Sequence, residues 1–432
     1  MAPDDVDTLS PAALHALRQD LWARQRERLA CSAFYRRLWS GHEPPEDWRD
    51  IAGLPLTTKA MVRESQETHP PFGDYLATAP DRVRRVHRTS GTTGRPMNTA
   101  LSERDCAMYA RVGGRAARGV GLGPGDTVMH CLDYCLWMGG YTDHATLEAA
   151  GATVVPFGVG ASERLIQTMR ELRATAIYCT PSYPAVLERV IAERIPGLSP
   201  RGLGLRLGIL TGEPGLENAS FRDRVEAVWG FRARNLYGIS DIVTTFAGEC
   251  DAGHDLHFAA ADALLPELIE PDGGEALPWR TGATGELVLT HLERECQPLV
   301  RFRTGDIVTL TTIEPCACGR TSPRLRVVGR ADDMIVVRGV NVYPGAVARV
   351  LNGFAALSGE FRIRLADPPP YDRLPLEAEL APGQVAGPDL AAAVGAAIRH
   401  AVRASANVTL VPAGTLPPSE GKTRRVVRRT SE

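Results

Sequence analysis

Helical stretches and short apolar segments alternate between residues 105 and 240, and this alternation constrains the fold more than any other feature of the chain. Helical patterns lie at 169–174 and 185–194. Short apolar strands are predicted around them, at 127–132, 153–156, 176–179 and 208–211. Because strands separated by helices usually pair in parallel, the pattern predicts an α/β domain with a largely parallel sheet.

The pattern changes after residue 245. Strand-like runs such as 285–290 and 307–312 follow one another without long helices, which indicates a β-rich subdomain. The pattern breaks at Gly329 to Asp333, and the remaining stretch has strands of its own and a helix near 389–404. We therefore expect a large N-terminal domain over 1–330 and a small α+β C-terminal domain over 331–432.

Charge and composition exclude several classes of partner. The 432 residues carry a formal net charge of −2, which predicts no binding to nucleic acid or to a membrane surface. No apolar run approaches the roughly 18 residues that span a bilayer, and the acidic N-terminus lacks the apolar core of a signal peptide. Nine irregularly spaced cysteines argue against a disulfide framework, so we expect a cytoplasmic protein with mostly reduced thiols.

One segment has the composition of a phosphate-binding loop. It follows a predicted strand at 83–87 and reads Ser90-Gly91-Thr92-Thr93-Gly94-Arg95-Pro96. Its two glycines allow a tight turn that presents main-chain amides, and its three hydroxyls and arginine can contact phosphate oxygens. The spacing is not that of a Walker-type loop, and a plain polar turn is the alternative interpretation.

Three further blocks carry groups that suit a nucleotide. Tyr237-Gly238-Ile239-Ser240-Asp241 offers an aromatic face for a base and a carboxylate for Mg²⁺. Arg303-Thr304-Gly305-Asp306 provides an acid that can accept two ribose hydroxyls. Gly329-Arg330-Ala331-Asp332-Asp333 falls at the predicted domain boundary.

These blocks, in this order, resemble those of the adenylate-forming superfamily of acyl-CoA synthetases, adenylation domains and luciferases. Nearly the whole chain is similar to the phenylacetate-CoA ligase branch of that superfamily. Further matching blocks are Phe34-Tyr35-Arg36-Arg37, Leu54-Pro55-Leu56-Thr57-Thr58-Lys59, Pro71-Phe72-Gly73, Gly212-Glu213-Pro214 and Arg338-Gly339-Val340-Asn341-Val342-Tyr343-Pro344. The resemblance implies ATP-dependent, AMP-forming activation of a carboxylic acid as an acyl-adenylate, then transfer to an acceptor, usually the thiol of CoA.

The resemblance also implies roles for individual residues. Lys422 would bridge the attacking carboxylate and the α-phosphate, and Asp332 would be the hinge about which a mobile C-terminal domain rotates between the two half-reactions. Asp241 would hold Mg²⁺, although the family usually has glutamate there, and Arg95 stands where the family usually has lysine. An acyl pocket is expected at Trp137, Gly139 and Gly140. ATP or AMP would contact Ser90, Gly91, Thr92, Thr93, Gly94, Arg95, Gly212, Glu213, Pro214, Tyr237, Gly238, Ser240, Asp306 and Arg330.

The chain contains only two lysines, Lys59 and Lys422, against 47 arginines. Since arginine supplies positive charge everywhere else, a retained lysine indicates a task that needs a compact ammonium. Lys422 falls at the position of the family's mobile catalytic lysine, and stray codons are the alternative explanation. Lys59 lies in a block that the family shares, has no role that the sequence reveals, and is interpreted as structural.

Cysteine and histidine spacing predicts a structural zinc site. Cys316 and Cys318 form a close thiolate pair on a predicted turn, and Cys250 lies upstream. Three cysteines and one histidine are a common zinc ligand set. Zinc-containing relatives have the histidine seven residues after the first cysteine, which favours His257, while His254 competes. Four reduced side chains without a metal are the alternative.

We expect an aromatic or arylacetic acid as the substrate, with CoA as the acceptor. Alternative acceptors are a carrier-protein thiol or an amine, and an alternative acid is a small inorganic one such as nitrite. A nucleotide-binding regulator without turnover is a further alternative, but ATP binding alone does not need Lys422. His130 and His144 are interpreted as hydrogen-bonded structural histidines. Both a monomer and a homodimer are compatible with the sequence.

Overall fold

The structure, a computed structural model, describes residues 5–89, 96–338, 340–365, 371–416 and 425–428. None of the helices in these ranges is both long and apolar enough to cross a bilayer. The helices are α1 Pro11–Ala30, α2 Ala33–Leu38, α3 Lys59–Thr68, α4 Glu103–Gly119, α5 Met138–Ala149, α6 Ser162–Glu171, α7 Tyr183–Arg194, α8 Ala219–Trp229, α9 Pro344–Leu351 and α10 Pro388–Val402.

The strands are short in the first half of the chain and longer in the second. They are β1 Val83–Arg88, β2 Asn98–Ser102, β3 Thr127–His130, β4 Thr153–Pro156, β5 Ala176–Cys179, β6 Leu207–Leu210, β7 Arg232–Ile239, β8 Val243–Cys250, β9 Gly253–Phe258, β10 Leu264–Ile269, β11 Ala276–Leu277, β12 Thr284–His291, β13 Phe302–Thr312, β14 Arg324–Arg330, β15 Ile335–Val337, β16 Val340–Val342, β17 Leu357–Leu365, β18 Leu374–Leu380, β19 Ala406–Val411 and β20 Val426–Arg428.

Local sequence explains where several elements begin and end. Helix α1 starts at Pro11 because the Ser10 hydroxyl accepts a hydrogen bond from the Ala13 amide. The predicted strands at 153–156 and 176–179 are confirmed as β4 and β5. The predicted helix at 169–174 is misplaced: α6 begins at Ser162 and ends at Glu171, and Arg173 has φ 49°, which a helix cannot continue through.

Two compact units make up the chain. The first contains Met1–Gly212, Val228–Thr304 and Val308–Arg326, and the second contains Glu213–Ala227, Gly305–Ile307 and Val327–Glu432. The second unit therefore includes two short segments from the N-terminal three quarters of the sequence. The predicted boundary between residues 330 and 331 stays a prediction.

A single mixed sheet of twelve strands organises the first unit, in the order β11-β10-β12-β13-β14-β9-β8-β7-β6-β5-β3-β4. Strands β4, β3, β5, β6 and β7 are parallel neighbours, which confirms the α/β expectation. The predicted β-rich subdomain is not a separate sheet but the antiparallel continuation of the same one. The two parts join at β7, which pairs in parallel with β6 and antiparallel with β8.

A four-stranded sheet, in the order β19-β18-β17-β20, lies in the second unit. The strand pair β17 and β18 is antiparallel, and the outer strands pair with it in parallel. Helices α9 and α10 contribute Val347, Leu351, Val394 and Ile398 to a common apolar core with these strands. This arrangement is the expected small α+β fold.

Candidate active site

The turn after β7 positions Asp241, the predicted metal-binding acid. A glycine is required at Gly238, because a Cβ atom there would lie 2.0 Å from the main-chain oxygen of Thr244. The ring of Tyr237 packs edge-on against Phe246 at a centroid distance of 5.0 Å. Strand β7 ends at Ile239, so Asp241 lies at the carboxyl edge of the parallel strands, where open α/β sheets bind ligands.

Lys59, which the sequence analysis left without a role, contacts this acid. Its Nζ donates a hydrogen bond to Oδ2 of Asp241 over 2.7 Å. The interpretation of Lys59 as merely structural is therefore incomplete. The two residues are 182 positions apart, so no local sequence pattern reveals the pairing.

Arg294 is a second cation beside Asp241, and the sequence analysis missed it. Its side chain is 1% exposed, and its Nη1 lies 3.1 Å from the main-chain oxygen of Asp241 and 3.2 Å from that of Ile242. The Ile242 oxygen also accepts a hydrogen bond from the Tyr109 hydroxyl and lies 3.1 Å from Nε2 of His291. Hydrogen bonds from buried side chains therefore fix the main chain of the Asp241 turn.

Burial and neighbouring groups oppose each other at Arg294. Burial alone would lower the pKa of its guanidinium. Neighbouring groups, with Tyr109 and Asp105 first among them, together raise the pKa by more than burial lowers it, so the pKa lies above its ordinary value. Arg294 thus stays charged. Its sequence context, Leu-Glu-Arg-Glu, resembles an exposed charged turn, and no local signal distinguishes a buried arginine there.

The predicted ribose residues Asp306 and Arg330 meet in the second unit. Nη1 of Arg330 donates to Oδ1 of Asp306 over 2.8 Å, and its Nε donates to Oδ1 of Asp332, the predicted hinge, over 2.9 Å. Burial alone would lower the pKa of Arg330. The two carboxylates raise the pKa by more than burial lowers it, so the pKa lies well above its ordinary value. A Cβ atom at Gly305 would lie 2.6 Å from the Arg330 guanidinium, so glycine makes room for this contact.

For several other predicted nucleotide-binding residues, the structure gives the main-chain conformation or the burial of the side chain. Gly212 follows β6 with φ 88°, a conformation that favours glycine, and the neighbouring Thr211 hydroxyl donates to the Leu236 carbonyl over 2.7 Å. Pro214 is exposed, while Glu213 and Ser240 are half-buried. The roles of these residues remain predictions.

Two predicted parts of the site lie outside the described residues: the loop Ser90, Gly91, Thr92, Thr93, Gly94 and Arg95, and the proposed catalytic lysine, Lys422. The residues that flank the loop are described. The amide of Thr89 donates to the Met97 carbonyl over 3.0 Å, and the amide of Met97 donates to the Thr89 hydroxyl over the same distance. The roles of the loop and of Lys422 stay predictions.

The predicted acyl-pocket residues lie at the start of α5. Trp137 is half-buried and precedes the helix. At Gly140 a Cβ atom would lie 2.3 Å from the Asp133 carbonyl, and at Gly139 one would lie 3.0 Å from the Trp137 ring. Packing alone therefore requires a glycine at 140 and favours one at 139, and the acyl pocket remains a prediction.

Two histidines beside this segment differ in their contacts. His144 agrees with expectation, since its Nδ1 lies 2.9 Å from the Tyr134 hydroxyl and its Nε2 lies 3.2 Å from Glu148. His130 does not: it is fully buried, and neither ring nitrogen has a hydrogen-bond partner within the described ranges. Its ring stacks on Tyr178 at a centroid distance of 5.3 Å, and burial lowers its pKa to about 3.

A cluster of sulfur and nitrogen donors occupies the antiparallel part of the sheet. Sγ of Cys250 lies 3.9 Å from Sγ of Cys316, and Sγ of Cys318 lies 3.6 Å from Nε2 of His257. The ligand atoms of all four residues lie within 4.8 Å of one another. His254 is exposed and lies 3.7 Å from the carboxylate of Glu249, so the structure groups His257 rather than His254 with the cysteines.

Comparison with known proteins identifies the family. The AMP-binding enzyme family matches residues 47–291, and the AMP-binding enzyme C-terminal domain family matches residues 339–429. The phenylacetate-coenzyme A ligase of Thermus thermophilus is 34% identical over 455 residues, covering 99% of each chain. The phenylacetate-coenzyme A ligase of Escherichia coli is 31% identical over 435 residues, covering 98% of this chain and 96% of its own.

Solved structures agree. A crystal structure of 2-hydroxyisobutyryl-CoA ligase in the postadenylation state, in complex with 2-HIB-AMP, matches 98% of this chain and 91% of its own, with a TM-score of 0.86 and 30% identity. The chain therefore belongs to the AMP-binding enzyme family, the adenylate-forming superfamily. Within it, the chain falls in the phenylacetate-CoA ligase-like branch and is an AMP-forming acid ligase of the acid–CoA ligase type. The predicted family and fold class are thus confirmed.

The raised pKa of Asp143, a buried residue of α5 near the predicted acyl pocket, can be tested through the pH dependence of stability. Asp143 accepts a hydrogen bond from the Tyr178 hydroxyl over 2.8 Å, and burial raises its pKa from 3.8 to about 6. Between these values the folded protein keeps a proton that the unfolded chain has lost. The free energy of unfolding should therefore fall as pH rises from about 4 to about 6, by up to about 3 kcal/mol relative to Asp143→Asn. Urea unfolding of both proteins from pH 4 to 7 measures this difference, and identical pH profiles would contradict it.

Proposed function

We propose that this protein activates an aromatic or arylacetic acid with ATP and transfers the acyl group from the acyl-adenylate to CoA. The observation that carries the proposal is the position of Asp241, paired with a cation at the carboxyl edge of the parallel strands. The class of acid is supported by the names of the full-length relatives, which are phenylacetate-CoA ligases. The same relatives favour CoA over a carrier protein or an amine.

In the first half-reaction, an oxygen of the substrate carboxylate attacks the α-phosphorus of ATP, and pyrophosphate leaves. Both reactants are anions, so positive charge must be fixed where negative charge accumulates. We assign this task to Arg95 and Lys422 by their family positions. Asp241 suits Mg²⁺ that arrives with ATP, since such ions are usually held by one or two carboxylates and the phosphates themselves, and this ion would neutralise phosphate charge.

Asp306 and Arg330 are proposed to hold the ribose. The Asp306 carboxylate can accept hydrogen bonds from two ribose hydroxyls. Arg330 contacts Oδ1 of Asp306, which orients this acid before the nucleotide binds. We propose that Tyr237 contributes its ring to the adenine site.

In the second half-reaction, the sulfur of CoA attacks the acyl carbonyl carbon, and AMP leaves with the electrons of the broken C–O bond. We propose Asp332 as the hinge for the domain rotation that separates the two steps. Its side chain is 63% exposed and contacts Arg330, so a change in the main chain there would also alter the neighbour of the ribose acid.

A panel of acids tests the proposed reaction. We expect a phenylacetate- or benzoate-type acid to give the fastest acid-dependent exchange of labelled pyrophosphate into ATP, and a CoA thioester as the product by mass spectrometry. 2-Hydroxyisobutyrate and nitrite are the comparison acids, and a carrier protein and an amine are the comparison acceptors. If none of the acids supports exchange, the proposed ligase reaction is wrong. Faster exchange with a comparison acid would overturn the proposed substrate class. Faster transfer to a comparison acceptor would overturn CoA as the acceptor.

We also propose a structural zinc ion at Cys250, His257, Cys316 and Cys318. A tetrahedral zinc with Zn–S bonds of about 2.3 Å separates its sulfur ligands by about 3.8 Å, close to the 3.9 Å between Cys250 and Cys316. Nδ1 of His257 lies 3.2 Å from the Ser322 hydroxyl, a contact that orients the ring with Nε2 toward the sulfurs. The donor set and its spacing therefore fit zinc.

Protein purified without a metal-binding tag should contain about one equivalent of zinc per chain by elemental analysis, as expected of a closed four-ligand site. His257→Ala and Cys318→Ser should lose the metal. His254→Ala is the matched control, because it removes an exposed histidine three residues away, and it should keep the metal. Equal zinc content in all variants, or loss only in His254→Ala, would refute the site.

We propose a cytoplasmic location. All nine cysteines lie in described ranges, and none of them forms a disulfide there, which suits a reducing compartment. The choice between monomer and homodimer stays a prediction.

A further inference from the structure

The main chain just before Lys59 is fixed by hydrogen bonds to strand β13 and to the residue that immediately precedes this strand. The amide of Thr57 donates to the Arg301 carbonyl over 3.0 Å, and the amide of Arg303 donates to the Thr57 carbonyl over 2.9 Å. The Thr58 hydroxyl caps α3 by accepting from the Met61 amide, which makes Lys59 the first residue of the helix. The main chain at Lys59 is therefore fixed, and the side chain can change its partner without moving the main chain.

The main chain of Asp241 is fixed as well, and by different groups. Arg294 holds the carbonyls of Asp241 and Ile242, and it does not use the Asp241 carboxylate to do so. The carboxylate is 11% exposed and the Lys59 side chain is 43% exposed. The carboxylate can therefore exchange one cationic partner for another without movement of the turn that carries it.

The type of cation at this position matters. Buried Arg115 grips Asp262 at two points, with Nη1 2.8 Å from Oδ1 and Nη2 3.0 Å from Oδ2. Lys59 contacts one oxygen of Asp241, and a lysine ammonium is a point charge that releases a carboxylate more readily than a two-point arginine does. In a chain of 47 arginines and two lysines, a lysine here indicates a contact that must break.

We propose that Lys59 is the exchangeable counter-ion of Asp241: it holds the carboxylate before the nucleotide binds and yields it to the Mg²⁺ that accompanies ATP. The proposal rests on the proposed function, in which Asp241 binds that metal. Lys59 is then a positioning residue that sets how much Mg²⁺ the protein needs. Its side chain and the metal compete for the same carboxylate.

Metal binding tests the competition without turnover. We expect Lys59→Met to bind Mn²⁺, used as a paramagnetic substitute for Mg²⁺, about two- to fivefold more tightly in the presence of a non-hydrolysable ATP analogue, because an exposed ion pair opposes binding only modestly. Lys59→Arg should bind it more weakly than the wild type. Electron paramagnetic resonance of free Mn²⁺ gives the affinities. Unchanged or weaker binding in Lys59→Met would overturn the proposal.

Arg37→Met is the matched control. Arg37 is also an exposed cation on a largely buried carboxylate, Asp74, at 2.5 Å. Its removal should leave Mn²⁺ affinity unchanged. A gain equal to that of Lys59→Met would show a general charge effect and would overturn the specific competition.

The scarcity of lysine allows a direct observation. Protein labelled with ¹³C at lysine Cε gives signals from two positions, and Lys59→Arg identifies the one from Lys59. We expect Mg²⁺ with the ATP analogue, but not the same ionic strength of NaCl, to move this signal toward its position in Asp241→Asn. A Lys59 signal that stays in place would overturn the proposal. Failure of acid-dependent exchange would instead overturn the proposed reaction and leave this titration to be judged separately.

Discussion

The change of pairing along β7 is the constraint on which the rest of the structure depends. Its first half pairs in parallel with β6 and its second half antiparallel with β8. This one strand therefore joins the parallel and antiparallel halves of the twelve-stranded sheet. The turn between β7 and β8 must be tight, Gly238 permits the close approach to Thr244, and Asp241 is placed at the carboxyl edge as a result.

Arginine and lysine have different tasks around this turn. Arg294 is buried and holds main-chain oxygens, so it is part of the frame. Arg330 joins Asp306, the proposed ribose acid, to Asp332, the proposed hinge, within the second unit. Lys59 contacts the carboxylate that is proposed to bind the metal. The arginines thus fix geometry, and the lysine occupies a contact that the reaction has to change.

Much of the fold was predictable from the sequence because its signals are local. The apolar strands at 153–156 and 176–179 depend on neighbouring residues, and both are found where they were expected. The twelve-stranded continuity of the sheet was not predictable, since it depends on the partners that β7 finds on its two halves. The end of α6 was missed because the left-handed conformation of Arg173 has no signal in its residue type.

The candidate site shows the same division. The blocks that contain Asp241, Asp306 and Arg330 could be recognised as blocks, but the contacts of Lys59 and Arg294 with the Asp241 turn join residues 182 and 53 positions apart. His257 could be preferred over His254 by spacing, and the cluster of sulfur donors agrees with that choice. That His130 has no hydrogen-bond partner among the described residues could not have been predicted, because it depends on how the ring packs against Tyr178 and His144.

In the proposed two-step ligase, Lys422 serves only the first step. The most direct test is to measure both half-reactions in Lys422→Ala: formation of the acyl-adenylate from acid and ATP, and transfer from supplied acyl-adenylate to CoA. We expect the first rate to fall by at least about 10²-fold, as when one preorganised charge-stabilising group is lost, while the second changes much less. Equal losses in both half-reactions, or no loss in the first, would contradict it.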